Sequence, residues 1–298
     1  MGLNVAVIGL GSMGYGMAQV ILRAGHRVWG RDINREAEAR FQASGGETDP
    51  LAEALLDSVV VVVLDAAQTR DVLFGPDGLA GRLRQGAVVL GCATVAPDFA
   101  RETEARCEEA GVLYLDAPIS GGSAKAASGD LSVMASGSPA ARAAAGPVLE
   151  AVAETVFDLG ESAGAGSAMK AVNQMLAGVH VAAMAEALTF GMTQGISPAR
   201  FFEIIPRCAG TSWMIENRGP SMVAGDYTPL SRIDIWPKDL GIVLDIARSA
   251  RFAAPVTAAA LQQFLVAAAQ GLGGENDTAV AKVYAQNAGL AVPGARDD

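Results

Sequence analysis

Cysteine and histidine, the usual ligands of structural zinc, are scarce in this chain of 298 residues. It contains three cysteines, Cys92, Cys107 and Cys208, and two histidines, and the cysteines form no CxxC pair. Such spacing argues against a structural zinc site. We therefore expect no metal site, and we interpret the cysteines as buried packing residues of a protein from a reducing compartment.

The chain also lacks runs of lysine or arginine and long apolar runs. Its formal net charge is -10, with the acidic residues scattered along the sequence, so no basic stripe is available to follow a phosphate backbone. The most apolar run, 59–64, is far shorter than the roughly 20 residues of a membrane span. We expect a cytoplasmic protein that binds neither nucleic acid nor membrane.

The order of apolar runs predicts an α/β domain followed by an all-α domain. The β-branched runs, which alternate with helical segments, are 5–8, 27–29, 59–64, 87–90, 112–115 and 131–134. Such alternation is typical of a parallel, doubly wound sheet of the Rossmann type. We predict this α/β domain at residues 1–162 and an all-α C-terminal domain at residues 163–298, where strand-like runs disappear.

The predicted helical domain begins with a long helix, roughly 167–194, that contains no proline. A helix of this length suits a spine that joins domains or subunits, so we expect a homodimer or homotetramer. Shorter helices are expected to start near Pro198, Ser212, Pro237, Pro255 and Asp277. Residues 293–298 are predicted to form a frayed end.

A glycine-rich loop follows the first predicted strand and precedes a helix. It has the pattern GxGxxG and consists of Gly9, Leu10, Gly11, Ser12, Met13 and Gly14. The first glycine permits a tight turn, the second lets a pyrophosphate approach the backbone, and the third allows close helix packing. The helix start supplies unpaired N–H groups to the phosphates, so a dinucleotide site is predicted here.

The end of the second predicted strand carries two residues that favour different coenzymes. Asp32 lies 18 residues beyond Gly14, where a carboxylate accepts the ribose hydroxyls of NAD and repels a 2′-phosphate. Arg31 would instead pair with the 2′-phosphate of NADP. We predict NAD as the coenzyme, with NADP as the alternative.

Further motifs resemble those of the β-hydroxyacid dehydrogenases, the family of 3-hydroxyisobutyrate dehydrogenase and tartronate semialdehyde reductase. They are 9–18 (GLGSMGYGMA), 116–122 (DAPISGG), 129–131 (GDL), 164–174 (GAGSAMKAVNQ) and 238–240 (KDL). Segments 65–75, 176–182, 209–218 and 225–229 are most similar to the branch of the family that acts on four-carbon sugar acids. The resemblance implies an NAD(P)-dependent oxidoreductase with a small hydroxy acid as substrate.

Oxidation of a hydroxy acid requires a group that removes the hydroxyl proton. Lys170 is our candidate, because it follows a glycine linker by one helical turn and should lie where the two predicted domains meet. Asn173 and Gln174 follow at i+3 and i+4 and so share its helix face. Members of the family resemble K-x-x-N-N, so Gln174 departs from that pattern, and Asn173 is the safer catalytic assignment.

The resemblance also implies roles for residues elsewhere in the chain. Ser120, Gly121 and Gly122 would bind the substrate carboxylate through a hydroxyl and backbone N–H groups. Gln174 and Lys238 would contact the substrate, and Lys238, Thr94 and Leu64 would line the coenzyme site. The plain alternatives are a glycine turn at 121–122 and solvent-exposed lysines. For His180, seven residues beyond Asn173, we expect simple packing, with a substrate contact as the alternative.

Three functions remain open from the sequence. The first is oxidation of a four-carbon sugar acid. The second is turnover of 3-hydroxyisobutyrate, or reduction of a small semialdehyde such as tartronate or succinic semialdehyde, by the same lysine. The third is a coenzyme-binding module without catalysis, which the presence of Lys170 disfavours.

Overall fold

The structure, a computed structural model, describes residues 2–51 and 54–294. The chain divides into two compact units, Met1–Lys170 and Ala171–Asp298. Each unit has a hydrophobic core of its own. Residues 295–298 of the predicted frayed end lie outside the described residues, and the domain boundary predicted at 162/163 stays a prediction.

The first unit is built on a five-stranded parallel sheet, which confirms the predicted fold class. Its strands are β1 (Asn4–Ile8), β2 (Arg27–Arg31), β3 (Ser58–Val61), β4 (Val88–Gly91) and β5 (Leu113–Asp116), in the order β2-β1-β3-β4-β5. Successive side chains of β1 serve opposite faces: Val5 and Val7 join one core cluster, whereas Ala6 and Ile8 join another. Apolar cover on both faces explains why these strands are continuously apolar.

A second, three-stranded sheet corrects the prediction for residues 131–134. These residues form β7 (Leu131–Ala135), which pairs with β6 (Ile119–Ser120) and β8 (Ala153–Asp158) and not with the parallel sheet. The pairing of β6 with β7 is antiparallel. Neither β6 nor β8 was predicted, because β6 is two residues long and β8 is largely exposed and carries polar side chains.

Among the residues of the first unit that the structure describes, six α-helices precede the long helix. They are α1 (Gly14–Arg23), α2 (Arg35–Ala43), α3 (Ala66–Phe74), α4 (Pro97–Glu109), α5 (Gly122–Ser128) and α6 (Pro139–Val152). Side chains preceding three of them accept a backbone N–H in the first turn, namely Asn34, Asp65 and Ser138. Such caps satisfy N–H groups that have no partner within the helix.

The second unit is helical, as predicted. Its helices are α7 (Ala165–Thr193, of which 165–170 belong to the first unit), α8 (Pro198–Ile204), α9 (Trp213–Ala224), α10 (Ile235–Ser249), α11 (Pro255–Ala269) and α12 (Val280–Asn287). The starts expected at Pro198, Ser212 and Pro255 are confirmed, whereas α10 begins two residues before Pro237. In the core, Trp236 stacks on Phe264 with 5.5 Å between ring centres.

Helix α7 qualifies the expectation that no segment crosses a membrane. By length and composition alone it is long and apolar enough to do so, although 44% of its most apolar stretch is buried inside the protein. Val181, Met184 and Leu188 belong to the core of the second unit, as in a core helix of a folded domain. The absence of a membrane partner therefore stays a prediction.

The cysteines differ from the expectation at one position. Cys92 and Cys107 are buried, as predicted, and burial raises the pKa of each thiol to about 12. Cys208 is exposed, so its interpretation as a packing residue was wrong.

Gly16 fixes the distance between α1, which follows the glycine loop, and α5. A Cβ at Gly16 would lie 2.8 Å from the backbone nitrogen of Ala127 and 2.9 Å from the carbonyl carbon of Ala126. Backbone atoms cannot move aside cheaply, so we expect Gly16→Ala to lower the free energy of unfolding by about 1–3 kcal/mol. Urea denaturation followed by circular dichroism measures this.

The matched control is Gly241→Ala in α10, where nothing lies within 4 Å of the added carbon. This variant should gain roughly 0.5–1 kcal/mol, because alanine restricts the unfolded chain. Equal stabilities of the two variants would contradict the packing role of Gly16.

Candidate active site

The predicted coenzyme residues gather at one edge of the parallel sheet. Gly9 and Asp32 come directly after β1 and β2, and Leu64 and Thr94 follow β3 and β4 by three residues each. The carboxyl ends of parallel strands meet at the same edge, where α/β proteins bind their ligands. Thr94 is half-buried, and Leu64 is exposed with its N–H donating to the side chain of Gln68.

The glycine loop is tightly packed on its protein side and open on the other. Gly9 has a φ of +97°, and a Cβ there would lie 2.4 Å from the carbonyl oxygen of Val62. At Gly14, the first residue of α1, a Cβ would meet the carbonyl oxygen of Gly9 at 1.8 Å. At Gly11 nothing lies within 4 Å. The open side leaves room for a pyrophosphate against the backbone, so these residues fit NAD(P).

Asp32 is tied to the loop, whereas Arg31 is occupied elsewhere. The N–H of Leu10 donates to Oδ2 of Asp32 at 2.6 Å, and the N–H of Asn34 donates to its Oδ1 at 2.8 Å. The guanidinium of Arg31 donates to the carbonyl oxygens of Gly30 and Asp49. The carboxylate is therefore the group held beside the glycine loop.

A cleft of about 590 Å³ lies next to this loop, within the first unit. Its lining residues are Leu10, Gly11, Ser12, Tyr15, Gly16, Asn34, Glu36, Ala37, Arg40, Ser123 and Ala127. Tyr15 and Arg40 were not predicted as site residues. The guanidinium of Arg40 lies 4.2 Å from the centre of the Tyr15 ring. No motif marks Arg40, because it reaches the cleft only through the packing of α2 beside α1.

Lys170 lies beside the turn predicted to bind a carboxylate. Its side chain is buried, and Nζ donates to the carbonyl oxygen of Ile119 at 2.8 Å. Ser120 follows Ile119 in β6, and Gly121 and Gly122 continue the turn with φ of +138° and +77°. Positive φ is costly for other residues. The structure therefore brings together the lysine and the Ser-Gly-Gly turn.

Asp116 anchors the helix that carries Lys170. Its fully buried carboxylate accepts the N–H groups of Gly164 at 2.9 Å and Ser167 at 2.8 Å, together with the hydroxyl of Ser167 at 2.7 Å. The hydroxyl of Ser136 donates to it as well and accepts the N–H of Gly166. Burial raises the pKa of Asp116, and the hydrogen bonds from Ser167 and Gly164 oppose this rise.

Asp116 opens the DAPISGG motif but was not predicted as a site residue. The motif itself was the available signal, since an acidic residue at the end of an apolar strand needs partners. Those partners lie about 50 residues further along the chain, and no local pattern identifies them.

In the second unit, Asp239 contacts the side chains of both Gln174 and Lys238, and Gln174 in turn contacts Asn173. Gln174 Nε2 donates to Asp239 Oδ2 at 2.5 Å, and Asn173 Nδ2 donates to Gln174 Oε1 at 2.9 Å. Lys238 Nζ lies 2.7 Å from Asp239 Oδ1. His180 is half-buried on α7. Within the described residues, no group of three or more His, Cys, Asp or Glu side chains could hold a metal ion.

Known families match both parts of the chain. Residues 4–160 match the NAD binding domain of 6-phosphogluconate dehydrogenase, and residues 164–284 match the family described as NAD-binding of NADP-dependent 3-hydroxyisobutyrate dehydrogenase. The fold and the glycine loop, together with these matches, define an NAD(P)-dependent dehydrogenase that acts on hydroxyl groups.

Curated relatives extend the likeness over nearly the whole chain. The chain is 47% identical to the L-threonate dehydrogenase of Cupriavidus necator, over 99% of both chains. It is 43% identical to that of Escherichia coli K12, over 98% of this chain and 97% of the relative. The chain belongs to the 3-hydroxyisobutyrate dehydrogenase-like family, as its motifs predicted.

The fold of this chain is similar to that of a solved structure. A 3-hydroxyisobutyrate dehydrogenase from Salmonella typhimurium superposes with a TM-score of 0.89 and is 44% identical, covering 94% of this chain and 99% of its own. The α/β sheet and the helical unit described above are thus those of the family.

The anchor at Asp116 leads to a stability prediction. Ser167→Ala removes the hydroxyl donor at 2.7 Å, and we expect it to lower the free energy of unfolding by about 1.5–3 kcal/mol near pH 7. The loss should shrink as pH falls through the pKa of Asp116, because a protonated carboxyl gains less from the donor. Urea denaturation at several pH values measures this.

The control is Ser128→Ala at the end of α5, whose hydroxyl bonds to exposed helix carbonyls. It should change stability by less than roughly 0.5 kcal/mol. A loss at Ser167 that is no larger than this would show that the anchor contributes little.

Proposed function

We propose that this chain oxidises L-threonate, or a closely related four-carbon sugar acid, to its 2-oxo acid with NAD. The observation that carries the proposal is the 47% identity to an L-threonate dehydrogenase over 99% of both chains. The burial of Lys170 beside the Ser-Gly-Gly turn supports it, since the chemistry needs a proton acceptor next to an anion site.

In this proposal Lys170 Nζ takes the hydroxyl proton of the substrate. Bound NAD(P) supplies the acceptor for the hydride from the same carbon. The hydrogen bond from Nζ to the carbonyl oxygen of Ile119 holds the amine beside Ser120, so the proton and the substrate carboxylate are handled by neighbouring groups. In the reverse reaction Lys170 returns the proton to the oxygen.

The remaining substrate contacts are assigned to small and polar residues. The hydroxyl of Ser120 and the N–H groups of Gly121 and Gly122 would bind the carboxylate, because residues without bulky side chains let an anion approach the main chain. Asn173 would hydrogen-bond a substrate hydroxyl, with Gln174 behind it.

The coenzyme preference is proposed from the end of β2. Asp32 is hydrogen-bonded to the glycine loop, where its negative charge opposes a 2′-phosphate. The guanidinium of Arg31 is bonded to backbone carbonyl oxygens and would have to give these up to bind that phosphate. Both observations favour NAD. Thr94 and Leu64 are proposed to line the coenzyme site, and Lys238 is proposed to lie at its nicotinamide end.

We also propose a homodimer or homotetramer in the cytoplasm. Apolar side chains of α11, namely Val256, Leu265 and Val266, are exposed by 63%, 43% and 41%, and exposed apolar surface favours contact with another chain. Three cysteines without a disulfide are typical of a reducing compartment.

A second candidate substrate follows from the 44% identity to a 3-hydroxyisobutyrate dehydrogenase. A panel of L-threonate, 3-hydroxyisobutyrate, tartronate semialdehyde and succinic semialdehyde, each with both coenzymes, separates the candidates by kcat/KM. We expect the highest value for L-threonate with NAD. Good turnover of 3-hydroxyisobutyrate without turnover of any tetronate would overturn the proposal, and absence of all turnover would favour a non-catalytic module.

The role of Lys170 is tested by Lys170→Ala. We expect kcat to fall by a factor of about 10²–10⁴, the usual contribution of a general acid–base group, while the Kd for NAD measured by fluorescence titration stays nearly constant. The matched control is Lys125→Ala on α5, whose amine pairs with Glu154 and whose loss should leave kcat unchanged. Activity of Lys170→Ala within tenfold of the wild type would refute the role.

A further inference from the structure

The turn between β2 and α2, which carries Asp32, has little packing of its own. Ile33 is 96% exposed, and the next three residues, Asn34, Arg35 and Glu36, are exposed as well. A segment with few buried apolar contacts is not fixed by packing. The position of Asp32 therefore depends on its hydrogen bonds.

Glu38 in α2 accepts a hydrogen bond from the main chain of this turn. The N–H of Asp32 donates to Oε1 of Glu38 at 3.0 Å, and the guanidinium of Arg35 donates to Oε2 at 2.7 Å. Glu38 is 8% exposed and belongs to the first turn of α2, where the positive end of the helix favours its charge. Because a buried carboxylate is costly without donors, Glu38 holds the main chain of Asp32 to the helix.

Helix α2 is itself packed firmly against the sheet. Ala37 and Phe41, on either side of Glu38, are buried in the core of the first unit. A Cβ on Gly30 would lie 2.5 Å from the ring of Phe41, so this glycine lets α2 lie close to the end of β2. Gly30 precedes Asp32 by two residues, and Glu38 is thus a rigid acceptor beside it.

The carboxylate of Asp32 holds two N–H groups and can accept more. Oδ2 accepts the N–H of Leu10 in the glycine loop, and Oδ1 accepts the N–H of Asn34. A carboxylate has about four lone-pair sites, so each oxygen can also accept a ribose hydroxyl of NAD. A 2′-phosphate brings negative charge and acceptor oxygens to the same place and is repelled. Discrimination between the coenzymes requires that this carboxylate stay beside the loop.

We propose that Glu38 is a positioning residue for coenzyme selection: by holding the N–H of Asp32 it keeps that carboxylate beside the glycine loop. The inference rests on the proposed function, because it requires NAD to be the preferred coenzyme. Without this hydrogen bond the exposed turn gains other conformations, in which the carboxylate leaves the loop for water. NAD then loses an acceptor and NADP loses a repelling neighbour, so the two affinities converge.

Glu38→Ala removes the acceptor of the Asp32 N–H. The measured quantity is the Kd for NADP divided by the Kd for NAD, each obtained by fluorescence titration of the full chain. We expect this ratio to fall at least about fivefold, in keeping with the loss of one hydrogen bond to a charged group. Loss of folded protein alone leaves the ratio unchanged, since both coenzymes are titrated on the same preparation.

Glu38→Gln separates the hydrogen bond from the charge. Oε1 of the introduced amide accepts the N–H of Asp32, and its nitrogen replaces the oxygen that faces Arg35. The side chain of Arg35 is 85% exposed and can turn into water, so this replacement matters little. We expect a ratio within about twofold of the wild type. A fall as large as in Glu38→Ala would show that the charge selects the coenzyme, and it overturns the inference.

A residue that acts through Asp32 has no effect once that carboxylate is gone. In the background of Asp32→Ala, adding Glu38→Ala should therefore leave the ratio within about twofold of the Asp32→Ala variant. Independent contributions of the two residues would instead multiply. A further fall comparable to that of Glu38→Ala alone overturns the positioning role.

The matched control is Arg35→Ala, which removes the other partner of Glu38 and keeps the hydrogen bond from Asp32. Its ratio should stay within about twofold of the wild type, and a fall as large as in Glu38→Ala contradicts the inference. A wild type that prefers NAD, with an unchanged ratio in Glu38→Ala, overturns the inference alone. A wild type that binds NADP as tightly as NAD overturns the proposed coenzyme preference and this inference with it.

Discussion

A buried carboxylate at the end of β5 determines where the chemistry of this molecule takes place. Asp116 accepts two backbone N–H groups and two hydroxyls, and three of these four donors belong to the segment that opens α7. The partial positive charge of a helix start compensates a negative charge that water cannot reach. Because Lys170 lies one turn further along α7, the parallel sheet fixes its position through this carboxylate.

The residues that directly follow Asp116 also contact Lys170. Two residues separate Asp116 from Ile119, whose carbonyl oxygen accepts a hydrogen bond from Lys170. Asp116 therefore holds the helix that carries the amine, and its own chain continues into the turn that follows. Close packing supports the arrangement, since a Cβ on Gly166 would lie 2.3 Å from the carbonyl oxygen of Met134. Gly166 of GAGSAMK is thus explained by close contacts, and Gly164 has a φ of +106°, which favours glycine.

The elements that could be predicted are those that show a pattern over neighbouring residues of the sequence. The strands of the parallel sheet are continuously apolar because both faces are covered, and helix starts carry proline or serine, so both leave a pattern in the sequence. The glycine loop is equally local, which is why Gly9, Gly11 and Gly14 could be assigned from their spacing and from their place between a predicted strand and a predicted helix. The two-residue β6 and the exposed β8 leave no such pattern.

Interactions between distant residues account for what was missed. Asp239 lies 65 residues from Gln174. The helix packing that joins them depends on Gly178, where a Cβ would lie 2.8 Å from Leu240, and which in a sequence resembles any weak position in a helix. Asp116 and its partners on α7 are about 50 residues apart. Asp116 lies in the DAPISGG motif and Asp239 in the KDL motif, but their roles could be recognised only from the distances between side chains in the folded chain.

Two buried carboxylates thus accept hydrogen bonds from positions of α7 that are about two turns apart. Asp116 engages Ser167, and Asp239 engages Gln174 seven residues later, which is about 10 Å along a helix axis at 1.5 Å per residue. Lys170 and Asn173 lie between these two anchors. A proton-transfer group loses rate when it is misplaced by even about 1 Å, so the anchor at Ser167, which precedes Lys170 by one helical turn in the same unit, helps to hold the amine in place. The cost of burying Asp116 is offset by the four donors that surround it, and Asp239 accepts a hydrogen bond from Gln174. These buried carboxylates explain why a serine and a glutamine lie in a helix that is otherwise largely apolar.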